Sequence, residues 1–276
     1  MQTPPTLTDR AALNRHRARA ARAPALFLHE AVADDLQERL QEVNRTFTAP
    51  AVVTPWPQVW QGRLPEARIV ADDETLDLVP GAHDLVVHAL CLHWANDPVG
   101  QLVQVRHALR PDGLALVTAF GGQTLHELRA CLAEAESRVS GGLSPRVAPM
   151  GEIRDLGALM QRAGLSLPVA DGLAIRVSYA DAFALMRDLR AMGEVNALQT
   201  RLRRPTARAV LMQAAAIYAE RFADDAGRIE ATFDFVTLTG WAPDASQQVP
   251  LRPGSARARL ADALGTGESS LPREDD

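Results

Sequence analysis

A cluster of three acids, Asp72, Asp73 and Glu74, directly follows the short apolar run ARIVA of residues 67–71. Carboxylates at the end of a buried strand can accept hydrogen bonds from the amino group of a nucleotide base or from ribose hydroxyls. The same acids can also form a solvated exit from the strand that binds only water. Both interpretations stay open, and Asp72 and Asp73 are the candidates for binding a nucleotide-like ligand.

His93 and Trp94 follow a second apolar run, DLVVHAL of residues 84–90, which ends at Leu90. These three residues are candidates for the wall of a cleft, because ligands bind beyond the carboxyl ends of parallel strands. Burial of the histidine and the tryptophan in the core is the alternative. Cys91 lies beside His93, but one cysteine and one histidine without a third partner do not identify a nucleophile. No residues have the spacing of a metal site, so the catalytic residues stay unassigned and no metal is expected.

Gly121 and Gly122 precede Thr124 and Glu127 at the start of a predicted helix. Two glycines permit unusual backbone angles and the close approach of another molecule. These four residues are therefore candidates for binding a substrate or a partner. The alternative is an ordinary turn between a strand and a helix.

Ser144, Pro145 and Glu194 lie in predicted loops further along the chain. Loops on a rigid scaffold often carry binding residues. Glu194 is a candidate to pair with an arginine of a protein partner, and it could equally cap the end of a helix.

The elements that must position these residues alternate between strands and helices. This order predicts an α/β fold, a doubly wound, mostly parallel, Rossmann-like sheet with helices on both faces. The predicted strands are 50–53, 67–71, 84–90 and 114–120, the predicted helices are 9–45 and 98–109, and residues 110–113 form a turn.

The second half of the chain is predicted to be mainly helical. Residues 167–179, LPVADGLAIRVSY, predict a hairpin that turns at Asp171-Gly172, and a last strand ends near Trp241. The predicted helices are 123–139, 151–163, 181–192 and 205–222. We divide the chain into a helical segment (1–46), a main domain (47–255) with a helical insertion around 123–222, and a polar tail (256–276) that we expect to be disordered.

The composition excludes several classes of function. The net charge of −5 argues against a general nucleic-acid binder, and no apolar run approaches the roughly 20 residues of a membrane span. All 29 basic residues are arginines, which excludes a Schiff-base lysine and a phosphate-binding Walker lysine. Two cysteines without metal spacing indicate a reduced compartment, cytoplasmic in a bacterium or the mitochondrial matrix in a eukaryote.

The arginine-rich stretch from Arg10 to Arg22 contains no acid. Its composition is compatible with a transit peptide. It is also compatible with an ordinary basic helix that leads into the next patterned segment, and this is the interpretation we favour.

Several segments resemble a known family. Residues 84–122 are similar to the second half of the class I S-adenosylmethionine-dependent methyltransferase fold. Other segments resemble the branch that contains the mitochondrial complex I assembly factor acting as an arginine hydroxylase, with its alphaproteobacterial relatives; the methyltransferase of biotin synthesis is a more distant cousin. These segments are LHWANDP (92–98), FGGQTLHELR (120–129), GGLSPRVAP (141–149), DLGALMQRAGL (155–165) and MRDLRAMGEVNA (186–197), and the resemblance spans about residues 8–255.

The chain departs from that family where a glycine-rich loop would bind the methionine part of the cofactor. Val53 and Asp72 are only 19 positions apart, with Gly62 as the one glycine between them. Trp56 and its neighbouring prolines stand at the loop position; proline offers no N–H, and tryptophan fills space. The resemblance places Asp72 where the family contacts the adenine amino group. We therefore expect S-adenosylmethionine, the implied cofactor, not to bind in the standard way.

The resemblance implies a methyltransferase-type protein that acts on a protein partner, such as an arginine of a respiratory complex subunit during assembly. The alternative is a non-catalytic assembly chaperone that keeps the partner surface without the cofactor. A third hypothesis is a remodelled cleft near Trp56 that binds another nucleotide-like ligand. Oligomeric state is not predicted.

Overall fold

The computed structural model describes residues 6–248 and 265–266. Its sheet has six strands in the order β2-β1-β3-β4-β6-β5. The first four are parallel, and β6 runs antiparallel between β4 and β5. The predicted doubly wound, mostly parallel sheet is thereby confirmed. The strands are β1 (Pro50–Val53), β2 (Arg68–Val70), β3 (His83–His88), β4 (Leu109–Phe120), β5 (Ser166–Tyr179) and β6 (Ile229–Trp241).

The first crossover is short, as the spacing predicts. Between β1 and β2 the chain forms only a one-turn 3₁₀ helix, Pro57–Val59. The two strands then pair directly, with Val52 opposite Ile69. The helix and extra strand that a complete unit would insert here are missing.

Seven α-helices cover the two faces of the sheet within the described residues. Their apolar sides form two large cores, one on each face, because inward side chains alternate along the strands. The helices are α1 (Arg10–Ala20), α2 (Phe27–Glu42), α3 (Pro98–Ala108), α4 (His126–Ser140), α5 (Ile153–Arg162), α6 (Ala182–Met192) and α7 (Arg208–Phe222).

The single helix predicted for residues 9–45 is wrong, because the chain forms α1 and α2 with a break between them. The break contains Pro24, which lacks the N–H that a continuous helix requires. The basic-helix interpretation of this region holds for α1, whose residues Leu13 and Ala20 are buried.

The predicted hairpin at residues 167–179 is also wrong. Residues Ser166–Tyr179 form one strand that pairs along its length with β6, and Gly172 lies opposite Val236. Asp171 lies within this strand opposite Thr237, and both of its carboxylate oxygens accept hydrogen bonds from Arg39 of α2. The region predicted as a helical insertion therefore also supplies an edge strand.

The turn predicted at residues 110–113 is absorbed into β4 as an irregularity, since the register with β3 shifts there and Asp112 has φ +58°. The polar tail predicted at 256–276 lies almost wholly outside the described residues. Residues 6–244 form one compact unit. No helix in the described part of the chain combines the length and the apolar character needed to cross a membrane.

Candidate functional site

Three predicted site residues meet at the carboxyl ends of the parallel strands. Glu194 follows α6, and its Oε2 accepts hydrogen bonds from Trp94 Nε1 at 2.7 Å and His93 Nε2 at 3.2 Å. The His93 and Glu194 side chains are only 3% and 7% exposed. His93 also packs against Phe120, with ring centroids 4.8 Å apart. The side chain of Glu194 is thus part of a buried polar cluster, while its amide donates to the carbonyl of Leu189 at the end of α6.

The Glu194 carboxylate is held in its charged form. Burial raises the pKa of Glu194. The hydrogen bond from His93 and the positive charge of Arg17 lower this pKa by more than burial raises it, so the net shift is downward. Its second oxygen, Oε1, has no hydrogen-bond partner among the described residues. A buried charged oxygen without a donor is costly, and it is available to a ligand that brings one.

Asp72 is buried and bound to the N-terminal helix. Arg17 Nη1 lies 2.6 Å from Asp72 Oδ2, and the Arg17 and Asp72 side chains are each 9% exposed. The guanidinium of Arg10 also donates to Asp72, both to its side-chain carboxylate and to its backbone carbonyl oxygen. Asp73 pairs only at 3.9 Å with Arg10, and its side chain is 67% exposed. The solvated exit proposed for this cluster therefore describes Asp73 but not Asp72.

The segment after β1 has little capacity left to bind a cofactor through its backbone. Trp56 and Trp60 are 3% and 1% exposed, and they fill the space beside β1. Trp56 packs edge-on against His29 of α2. Four amides of this segment already donate within the chain, those of Thr54, Trp56, Val59 and Trp60, and Pro55 and Pro57 carry no N–H.

The residues present therefore do not fit S-adenosylmethionine in the standard manner. The amides that would hold its methionine part are already bonded, and the carboxylate assigned to its adenine is paired with two arginines. Leu90, predicted to line the same cleft, is 1% exposed, and its amide donates to Thr118.

A cavity of about 200 Å³ lies on the other side of Glu194. Its walls come from the end of β4 and from α4, α6 and α7. Trp94, Phe120 and Phe233 supply aromatic surface, and Glu194 is the one carboxylate in the lining. Two arginines, Arg146 and Arg190, also border the cavity. An apolar chamber with a buried acid suits a side chain with an apolar stem and a cationic end.

The predicted residues at the start of α4 have mainly structural contacts. A Cβ on Gly122 would lie 2.2 Å from the carboxylate of Glu152, and one on Gly121 would lie 2.4 Å from that of Asp234. Thr124 donates to the backbone of Asp234 and also borders the cavity. Glu127 is buried and accepts hydrogen bonds from the backbone and hydroxyl of Thr232, so it fixes α4 to β6.

Ser144 and Pro145 belong to a loop that is clamped at the edge of the cavity. Glu136 of α4 accepts hydrogen bonds from the amide and hydroxyl of Ser144 and pairs with Arg146 at 2.6 Å. The pKa of Glu136 is lowered to about 2, mainly by the hydrogen bond from Arg146 and to a smaller extent by those from Ser144. Pro145 contributes its carbonyl, which accepts from Asn196 Nδ2.

Sequence reasoning missed Arg17 and Arg146, since only the fold shows which of many arginines meet buried acids. It named Trp56 as a space-filling residue but missed its contact with His29. Across the described residues, no group of three or more metal-ligating side chains could hold a metal ion.

The sequence has curated relatives in two groups. It is 39% identical over 214 residues to the mitochondrial arginine-hydroxylase NDUFAF5 of Rattus norvegicus, covering 74% of this chain and 61% of the rat protein. It is 38% identical over 212 residues to the Homo sapiens protein of that name, covering 76% and 60%. It is 32% identical over 195 residues to the malonyl-[acyl-carrier protein] O-methyltransferase of Methylovorus, covering 70% and 63%. The chain thus spans about three fifths of the length of these relatives. No protein-family model matches it.

Solved structures with similar folds are distant in sequence. The Burkholderia thailandensis 1,6-didemethyltoxoflavin-N1-methyltransferase, solved with S-adenosylhomocysteine, has a TM-score of 0.45 and 13% identity, covering 88% of this chain and 94% of that one. The [4+2]-cyclase SpnF has a TM-score of 0.41 and 16% identity, covering 76% and 80%.

Proposed function

We propose that this chain, a methyltransferase-fold homologue of the NDUFAF5 arginine-hydroxylases, binds a protein partner by enclosing one of its arginine side chains. The single observation that carries the proposal is Glu194, a buried and charged carboxylate that lines an apolar cavity and has one oxygen without a hydrogen-bond partner among the described residues. The name of these relatives, arginine-hydroxylase, refers to the same side chain. A respiratory complex subunit, bound during assembly, is the partner that the sequence resemblance suggests.

The cavity has the properties that an arginine requires. Trp94, Phe120 and Phe233 offer aromatic surface to the methylene stem and the flat guanidinium. Glu194 can then accept a charge-assisted hydrogen bond from the guanidinium at its unbonded Oε1. The hydrogen bonds from His93 and Trp94 hold the carboxylate in one orientation, so little conformational entropy is lost on binding.

The proposed partner binding does not use S-adenosylmethionine in the standard mode. The support is the packing of Trp56, the bonded amides around it, and the pairing of Asp72 with Arg17. The proposal is therefore the assembly-chaperone alternative, with no methyl transfer assigned. The predicted reduced compartment, cytoplasm or mitochondrial matrix, remains a prediction.

Calorimetry separates this proposal from a working methyltransferase. S-adenosylmethionine and S-adenosylhomocysteine are titrated into the purified protein, and we expect no binding heat and no thermal shift at millimolar ligand. Micromolar binding of either compound would overturn the cofactor-free part of the proposal.

Peptide binding tests the arginine pocket. Fluorescence anisotropy with a labelled peptide Gly-Ala-Arg-Ala-Gly should show saturable binding, and the same peptide with citrulline in place of arginine should bind at least about tenfold more weakly. Glu194→Gln should remove that preference. The matched control is Glu220→Gln, an exposed acid on α7 outside the cavity. Equal affinity for arginine and citrulline, or no binding of either, contradicts the proposal.

A further inference from the structure

Arg190 is a charged group at the edge of the cavity. It lies at the end of α6, borders the cavity and is exposed. It forms no ion pair with a carboxylate of residues 6–248 or 265–266. Its backbone carbonyl accepts a hydrogen bond from Gly193 in the turn that leads to Glu194.

The second arginine of the cavity is already bonded. Arg146 donates to both carboxylate oxygens of Glu136 and to the hydroxyl of Thr206. Its side chain is 14% exposed. The positive charge of Arg146 is thus neutralised inside the protein, and Arg190 remains the cation of this cavity that is open to a ligand.

We propose that Arg190 selects, within the arginine-binding function proposed above, a partner segment that carries an acidic residue next to the inserted arginine. The cavity presents a buried negative group at Glu194 and, four positions earlier on the same segment, an exposed positive group. The complementary ligand is a pair of adjacent residues in a partner segment. The arginine side chain enters the cavity towards Glu194, and the acidic side chain stays at the rim beside Arg190. A basic neighbour is rejected there, because like charges at the rim repel.

This specificity differs from that of Glu194. Glu194 is desolvated, so its loss weakens binding of every arginine peptide, whatever residue stands beside the arginine. Arg190 is exposed, so its effect is modest and screened by salt. We expect an acidic neighbour to tighten binding about three- to fivefold at 50 mM salt and to have little effect at 500 mM.

The experiment compares three labelled peptides that differ only beside the arginine: Gly-Glu-Arg-Glu-Gly, Gly-Gln-Arg-Gln-Gly and Gly-Arg-Arg-Arg-Gly. Wild-type protein should bind them with decreasing affinity in that order. Arg190→Gln should bind the first two equally. Arg187→Gln, one turn away on α6 and outside this cavity, should keep the wild-type order.

The outcomes separate the two proposals. If the glutamine-flanked peptide does not bind at all, the arginine pocket itself is wrong. If the first two peptides bind equally to the wild-type protein, or if Arg187→Gln changes the order as much as Arg190→Gln, the selection by Arg190 is wrong while the pocket stands.

Discussion

The guanidinium of Arg17 lies 2.6 Å from the carboxylate of Asp72, although the two residues are 55 positions apart in the chain. This ion pair joins the N-terminal helix to the end of β2. By the family resemblance, Asp72 stands where an adenine amino group would be contacted. The chain thus supplies its own cation to this carboxylate.

Removing Arg17 should destabilise the protein strongly. Arg17→Ala leaves the Asp72 carboxylate buried without its closest partner, and breaking a buried pair costs about 3–5 kcal/mol. Burial alone would lower the pKa of Arg17, but the charges of Asp72 and Glu194 outweigh it and raise the pKa. Urea unfolding monitored by circular dichroism measures the decrease in the free energy of unfolding.

Two further variants test whether the pair itself is responsible. Arg15→Ala, an exposed arginine on the same helix, should cost well under 1 kcal/mol. The double variant Arg17→Ala, Asp72→Ala should be less destabilised than the sum of the single variants. Strict additivity would show that the two side chains act independently.

Trp56→Ala should destabilise the protein without restoring cofactor binding. The substitution opens a cavity at a side chain that is 3% exposed, and such truncations cost about 3–5 kcal/mol. The neighbouring amides stay bonded within the chain, so calorimetry should detect no S-adenosylhomocysteine. Micromolar binding by this variant would show that the tryptophan alone blocks the site.

Stability should fall in mild acid because of His29. Burial, only partly offset by Glu194, lowers the pKa of His29 to about 4. In the unfolded chain His29 takes up a proton near pH 6.5. Its contribution to the free energy of unfolding is therefore fully present above that pH and is lost as the pH falls towards 4. Between pH 7 and pH 5 the free energy of unfolding should drop by up to about 2 kcal/mol more in wild type than in His29→Phe. If the free energy of unfolding falls equally in the wild type and in His29→Phe, titratable groups other than His29 cause the pH dependence.

The clamp between Glu136 and Arg146 should hold the loop at the rim of the cavity. Glu136→Ala leaves Arg146 without its main partner and should cost about 3 kcal/mol. Hydrogen exchange should accelerate at the amide of Ser144. Glu134→Ala, a more exposed acid of the same helix, is the control and should leave that amide protected.

Much of the fold could be predicted because periodicity and strand spacing are local properties. The parallel strands, five of the later helices and the short first crossover followed from apolar patterns and from the 19 positions between Val53 and Asp72. The long strand β5 was mistaken for a hairpin, because Asp171-Gly172 is a turn signal in isolation. Its pairing with β6 and the contact with Arg39 override that signal, and both are tertiary. The family resemblance, stated from short motifs, is confirmed by the relatives.

The site was predicted in part. His93 and Trp94 were named as candidates because they follow a predicted strand, and Glu194 because it lies in a predicted loop. The hydrogen bond between Trp94 and Glu194 could not be predicted, because these residues are 100 positions apart in the chain. Arg17 could not be singled out among five neighbouring arginines, because only the packing of α1 shows which side chain is turned inward. The functional assignments of all the candidate residues, His93, Trp94 and Glu194 included, stay predictions.

The attachment of the N-terminal segment has a consequence for biosynthesis. Asp9 donates its amide to the carbonyl of Ala197, and its carboxylate pairs with Arg201, 192 positions later. On the ribosome, α1 can therefore form these two contacts only after residues 197 and 201 have been translated, so its docking waits until α6 and the turn after it are made.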